Sequence, residues 1–444
     1  MIIALAMICT AVPFAMGQRY GVMRLVSPMH LLSYFCFFGF LLKVSVYAFV
    51  PELAFYAHFV TTPGADQLGA LYLASFILLM CLGYLVAVQP VARVDTISAA
   101  RMIAAGLQHR TLLFTIAFAV SALTIVLLLR ARGVSALSIE VLTGLNNAKQ
   151  INVNADGVGA TLAGVKTLFI VPKLAFVLLL AQGIVLRGSW ILAQAGSLVA
   201  LLCIIALMSG DRFELVELMV FALATYMILG GRFGLVAVSL AAGLTVGLVA
   251  LSAYMTVLRG TDAGLFAQIV GSTYFLDINA AIMVTDRVTP PMFLLGESYG
   301  WWTYGWVPRA FWLDKPAIDL GVFFKRDVMQ IATGGAFNVT GPGEAFINFG
   351  WAGVLVGGVL GWLYRKGEVA LLSARQTLRH GAFLLYPLLF YPFVQATLQS
   401  SFSAFIVGAT AQLVLIVVVI AVFVPRYRLR PQPRFGKGGL AHAL

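Results

Sequence analysis

Four stretches of this chain gather residue types that could do chemistry. Ser209-Gly210-Asp211-Arg212 forms a short polar turn between two apolar runs. Its guanidinium matches phosphate oxygens in a bidentate way, and Asp211 offers a carboxylate beside it. Arg259 stands at the end of another apolar run, within Tyr254–Asp262. The segment from Trp301 to Pro316 places Tyr304, Trp306 and Trp312 around Arg309 and Lys315. Aromatic rings stack on the apolar faces of sugars, and two cations beside them suit an anion. The fourth stretch, Gly334–Gly350, is a Gly-rich loop that runs into an apolar helix. Glu344 and Asn348 are i, i+4 and so share a helix face. A carboxylate of this kind can act as a general base, with the amide as a positioning group.

Each stretch also has a plainer reading. Turn charges such as Asp211 and Arg212 can face water. Arg259 can snorkel to an interface. Tryptophans anchor helices at membrane boundaries. A carboxylate near a helix start is favoured by the macrodipole. The Pro308-Arg309 and Lys315-Pro316 pairs weigh against a simple aromatic belt, because they fix the backbone around two cations.

The elements that must position these residues are apolar helices. The chain has 444 residues, 61% hydrophobic and 10% charged, against about 25% charged in ordinary soluble domains. That composition excludes a soluble enzyme, a disordered chain and a disulfide scaffold. It indicates an all-α polytopic membrane protein. Long unbroken apolar runs exclude a β-barrel, whose strands would alternate. A span needs roughly 20 apolar residues, and about eleven runs qualify: 1–16, 28–50, 67–90, 111–130, 165–186, 190–208, 215–230, 234–257, 343–363, 382–397 and 402–425.

Basic residues cluster in one set of short segments, among them Arg93, Arg101, Arg110, Arg365, Lys366 and the tail 426–444. By the positive-inside rule that side is cytoplasmic, which accounts for the net charge of +12 without nucleic acid. The expected organisation is one transmembrane domain, 1–425, with a large loop at 258–342 on the outer side, periplasmic on the resemblance given below, and a basic cytoplasmic tail. Within the loop, 264–285 reads as a helix lying at the membrane surface or packed under the loop, with Asp277 inside it. Lys43, Lys166 and Lys173 fall in or near spans, where they pair with a carboxylate, face a cavity or snorkel. The four cysteines all sit in apolar runs and show no ligand spacing. No P-loop or metal-spaced cluster is present, so no cofactor is expected.

The series Pro308-Arg309, Trp312, Lys315-Pro316, Gly334-Gly335, Asn338, Thr340 and Gly343-Glu344-Ala345-Phe346-Ile347-Asn348-Phe349-Gly350-Trp351-Ala352-Gly353 resembles the Wzy-type oligosaccharide repeat-unit polymerases, the O-antigen polymerases of bacteria. The Ser209–Arg212 turn and the long late loop fit the same family. The specific likeness covers about 209–353. It implies a metal-independent glycosyltransferase of GT-C-like architecture in the bacterial inner membrane, acting at the periplasmic face in lipopolysaccharide or related polysaccharide biosynthesis. Donor and acceptor would be glycans on undecaprenyl diphosphate. The further partners it implies are membrane lipids, a chain-length regulator and a flippase, with no nucleic acid.

On that resemblance, Glu344 is the first candidate for the base and Asp211 the second. Arg212, Arg259, Arg309 and Lys315 would hold the diphosphate, and Tyr304, Trp306, Trp312 and Asn348 the sugars. The competing reading is a transporter or flippase of polysaccharide or lipid-linked oligosaccharide, which would use the intramembrane lysines and the glycines.

Overall fold

The computed structural model describes residues 1–23, 25–88, 96–131, 169–209, 213–231, 276–307, 311–312, 314–331, 336–372 and 384–425. Among them every regular element is helical. In chain order the longer ones are α1 (Ile2–Tyr20), α2 (Pro28–Phe49), α3 (Ala65–Val86), α4 (Thr96–Ala105), α5 (Arg110–Ala131), α6 (Ile170–Leu186), α7 (Ser189–Ser209), α8 (Phe213–Ile228), α9 (Ile278–Arg287), α10 (Thr340–Phe349), α11 (Val354–Leu372), α12 (Tyr386–Val394) and α13 (Phe402–Phe423).

Among the described residues, seven helices are long and apolar enough to cross a membrane: α1, α2, α3, α5, α7, α13 and the composite of α10 and α11. Two shorter apolar helices, α6 and part of α8, join them. The chain is therefore a multi-pass helical membrane protein. Its outer surface agrees: Leu413, Val414, Val417, Val418 and Val422 of α13 are exposed, as are Leu68, Leu71 and Leu82 of α3. In water such rows would be costly; in a bilayer they meet acyl chains.

The boundaries differ from the sequence reading in instructive ways. Residues 234–257 lie outside the described residues. Of the run expected at 382–397, residues 382 and 383 lie outside the described residues; the rest forms α12 followed by a π-helical turn, Gln395–Gln399, and nine residues of α-helix rise only about 14 Å. The span expected at 343–363 starts at Thr340, breaks at Gly350 and runs on to Leu372. Gly350 takes φ 56° and ψ −135°, a left-handed conformation in which a side chain is strained. The extension also corrects the loop assignment of Arg365 and Lys366. Both lie on α11, and Arg365 is buried against Glu368 at 2.8 Å. Asp277, expected inside a helix over 264–285, instead caps α9 by accepting from Asn279 N–H at 2.7 Å. Residues 264–275 lie outside the described residues.

Glycines set the closest approach in the core. A Cβ on Gly361 of α11 would stand 1.9 Å from the Met80 carbonyl oxygen of α3. One on Gly83 would meet the Gly358 carbonyl oxygen at the same distance. Small residues let helix backbones touch in membranes, where apolar burial alone does not drive association.

Polar contacts sort the helix ends onto two faces. On one face, Arg365 donates to the Tyr20 carbonyl at 2.8 Å and to the Tyr84 hydroxyl at 3.0 Å. Val22 N–H donates to Glu368 at 2.9 Å. Gln108 N–H reaches the Phe423 carbonyl there, and the Arg101 guanidinium reaches that of Leu229, each at 3.0 Å. The opposite face carries α9, the start of α10, the start of α13 and the described residues between 290 and 337.

Candidate functional site

The opposite face is organised by the entry into α10. Asn338 bonds the Gln399 carbonyl at 2.6 Å, and Gly341 lies so close to the Thr397 carbonyl that a Cβ would approach it to 2.0 Å. This contact buries the first turns of α10, and with them Glu344, which is 1% exposed.

The Glu344 carboxylate is a junction of three segments. Oε1 accepts from the Ser298 hydroxyl at 2.8 Å. Oε2 accepts from the Phe402 N–H at 2.6 Å, at the start of α13. Asn348 shares its face, one turn on. Its Nδ2 donates to Ser298 Oγ at 2.7 Å and to the Glu344 carbonyl at 2.9 Å. Its Oδ1 accepts from Gly296 N–H at 2.9 Å. Ser403 closes the circuit: its hydroxyl donates to the Ser298 carbonyl and accepts from Trp302 N–H at 3.2 Å. Nearby, Asp319 accepts from Gly321 N–H and from the Ser401 hydroxyl, each at 2.9 Å.

Sequence reasoning found Glu344 and Asn348 but missed Ser298, Phe402 and Ser403. A serine in a loop and a backbone amide carry no periodic signal.

The aromatic segment lies beside this junction. Tyr304 and Trp312 meet edge to face at 5.8 Å, and Trp306 and Trp312 are exposed. Lys315, expected as a diphosphate contact, here bonds backbone carbonyls. Its ammonium donates to the carbonyls of Gly305 at 2.8 Å and Val307 at 2.9 Å. Asp211, Arg212, Arg259, Arg309 and Lys166 lie outside the described residues, so the expected cation cluster is represented here by Lys315.

The two deeper lysines are paired. Lys43 of α2 contacts Asp277, which holds the start of α9. Lys173 of α6 bonds Glu217 of α8 at 2.6 Å, and the other Glu217 oxygen accepts from Gln395 Nε2 at 2.8 Å. A buried charge needs such a partner, because an unpaired one is strongly destabilising. Tyr47 and Asn279 extend the first pair: the Tyr47 hydroxyl donates to Asn279 Oδ1 at 2.9 Å.

Chemically, this face offers a dry carboxylate whose hydrogen-bond partners are neutral donors. An O–H group already donates to it at the distance an incoming hydroxyl would use. No protein-family model, curated protein or solved structure matches this chain.

Proposed function

We propose that this protein polymerises undecaprenyl-diphosphate-linked oligosaccharide repeat units into O-antigen or a related surface polysaccharide. It would work at the periplasmic face of the bacterial inner membrane, with about eleven spans in a GT-C-like arrangement. The acceptor's terminal hydroxyl attacks the anomeric carbon of the donor glycan. The glycosyl–phosphate bond breaks, and undecaprenyl diphosphate leaves with the bonding electron pair. The leaving diphosphate supplies the driving force, so neither nucleotide nor metal takes part.

The observation that carries this reading is the Ser298–Glu344 hydrogen bond. A serine hydroxyl donating to a carboxylate at 2.8 Å reproduces the contact that an acceptor sugar hydroxyl makes with a general base. Lifting the 296–302 segment frees Oε1 for substrate, while the Phe402 N–H keeps Oε2 oriented. Glu344 then takes the acceptor proton. Arg212, Arg259 and Arg309 stabilise the charge that grows on the diphosphate, an interaction stronger in the transition state than in the ground state. The helix ends gathered with Arg365 face the cytoplasm in this reading, and those gathered with Glu344 face the periplasm.

The deciding experiment incubates purified protein with lipid-linked repeat units in proteoliposomes. Longer glycans on the lipid are the expected product. Movement of the substrate between leaflets without elongation would replace the polymerase with a transporter.

A further inference from the structure

Residues 301–307 belong to a loop, yet their packing puts them beside a spanning helix. The short helix Trp302–Gly305 lies along the first turns of α13. Trp302 N–H donates to the Ser403 hydroxyl at 3.2 Å. A Cβ on Gly305 would meet the Val407 side chain at 2.7 Å. Ser403 and Val407 are one turn apart, about 6 Å along the axis. The segment therefore dips alongside α13 rather than rising away from its end.

That stretch of α13 turns its flank outward. Phe405 is exposed, and only 11% of the apolar window of α13 is buried. The dipping segment turns outward too. Trp302, Trp306 and Trp312 are each at least 40% exposed, and Phe311 is 85% exposed. The apolar surface of the loop is thus continuous with the lipid-facing surface of a transmembrane helix.

The backbone is prepared for a medium poor in water. A short helix that ends where water is scarce leaves carbonyls unsatisfied unless the protein supplies donors. Here the Lys315 ammonium turns back onto the carbonyls of Gly305 and Val307. The Thr303 hydroxyl takes the Gly300 carbonyl at 2.8 Å. Tryptophan prefers this depth because one edge of its ring is polar and the body apolar.

We propose that residues 302–307, together with Phe311 and Trp312, form an interfacial wedge, seated at the headgroup–acyl boundary of the bilayer leaflet that surrounds the start of α13. Its partner is the phospholipid bilayer itself. Trp306 and Trp312 then face lipid rather than a sugar path. This assignment rests on the multi-pass reading alone and stands whether or not the protein polymerises glycans.

Depth-resolved fluorescence tests it. Variants that keep Trp306 or Trp312 alone, with the other tryptophans replaced by phenylalanine, are reconstituted in phosphatidylcholine vesicles. The acyl chains are brominated either near the glycerol or near the methyl end. The expected result is loss of emission with bromines near the glycerol and little loss with aqueous acrylamide. Strong acrylamide quenching without lipid quenching overturns the wedge, and protection from acrylamide by soluble oligosaccharide would restore the sugar path.

A second measurement avoids multiple tryptophan replacements. Phe311→Cys, in a Cys203→Ala background, carries a nitroxide in the otherwise intact chain. Relaxation by oxygen exceeding that by a water-soluble nickel chelate supports the wedge; the reverse order removes it.

Discussion

Phe402 N–H donates to Glu344 Oε2 at 2.6 Å, so the start of one spanning helix is tied to a carboxylate on another, 58 positions earlier in the chain. Ser298 holds the second oxygen. The carboxylate therefore carries both a structural bond and the proposed chemistry, and two substitutions separate them.

Glu344→Gln keeps an oxygen for Phe402 N–H and an amide that can donate to Ser298 Oγ. Folding should survive, with a melting temperature close to that of the parent. The basicity is gone, so polymer formation should fall by about 10²–10⁴-fold. Glu344→Ala removes both acceptors and strands a buried amide, at a cost of about 1–3 kcal/mol. Thermal melts in detergent, read beside chain-length gels, check the pair. Polymerisation by Glu344→Gln above about a tenth of the parent rate would take the base role from Glu344.

The Lys43–Asp277 pair anchors α9 to α2 from 234 positions away. Lys43→Met alone leaves a carboxylate buried without its cation. A loss of about 3–5 kcal/mol is expected. Lys43→Met combined with Asp277→Asn should recover much of that, since Asn retains an acceptor to cap Asn279 N–H. A double-mutant cycle on thermal or denaturant unfolding measures the coupling.

Gly361→Leu tests the backbone contact between α3 and α11. Its side chain would have to displace the Met80 carbonyl from 1.9 Å. Overpacking in a tight core costs about 1–3 kcal/mol, and helix separation here would also disturb the Arg365–Glu368–Tyr84 cluster. Gly358→Leu is the control, because a Cβ there comes no closer than 3.7 Å to the Leu79 carbonyl. Gly361→Leu should melt well below Gly358→Leu.

Asp286, at the end of α9 and outside the spans, predicts a pH dependence. Partial burial opposes its ionisation, but bonds from Thr61 N–H at 2.8 Å, Thr61 hydroxyl at 3.1 Å and Thr62 N–H at 3.1 Å outweigh it. They hold its pKa below the ordinary 3.8. A folded-state value below the unfolded one means that the stabilisation is present above the unfolded pKa. It fades as pH falls through the folded pKa. The parent should therefore melt slightly above Asp286→Asn near neutral pH, the margin being small because these bonds compete with water at an exposed site. The two should converge once the pH falls below the folded-state pKa, which itself lies under 3.8. A difference that persists unchanged in acid would mean that the anchoring does not depend on the charge.

Much of the fold was legible because its signal is local. The apolar runs at 28–50, 67–90, 111–130 and 402–425 correspond closely to α2, α3, α5 and α13. The i, i+4 relation of Glu344 and Asn348 likewise placed both side chains on one face. The errors fell where a local pattern is ambiguous. Arg365 and Lys366 look like a loop, yet α11 continues through them, and one guanidinium nitrogen of Arg365 bonds both Glu368 and Tyr84. Asp277 looks like a residue within an apolar helix and is instead its cap.

The sequence by itself determined that the chain is helical and crosses a membrane. Composition and run length set those properties through the transfer of apolar side chains out of water, which each segment obeys alone. Only the tertiary structure decided that Lys43 meets Asp277, that Lys173 meets Glu217, and that Glu344 meets Ser298 and Phe402. Those partners lie 44 to 234 positions apart. Hydrogen-bond complementarity at such separations depends on which helix ends share a face. The packing of whole helices through contacts such as Gly361 on Met80 fixes that, and no residue type or spacing encodes it locally.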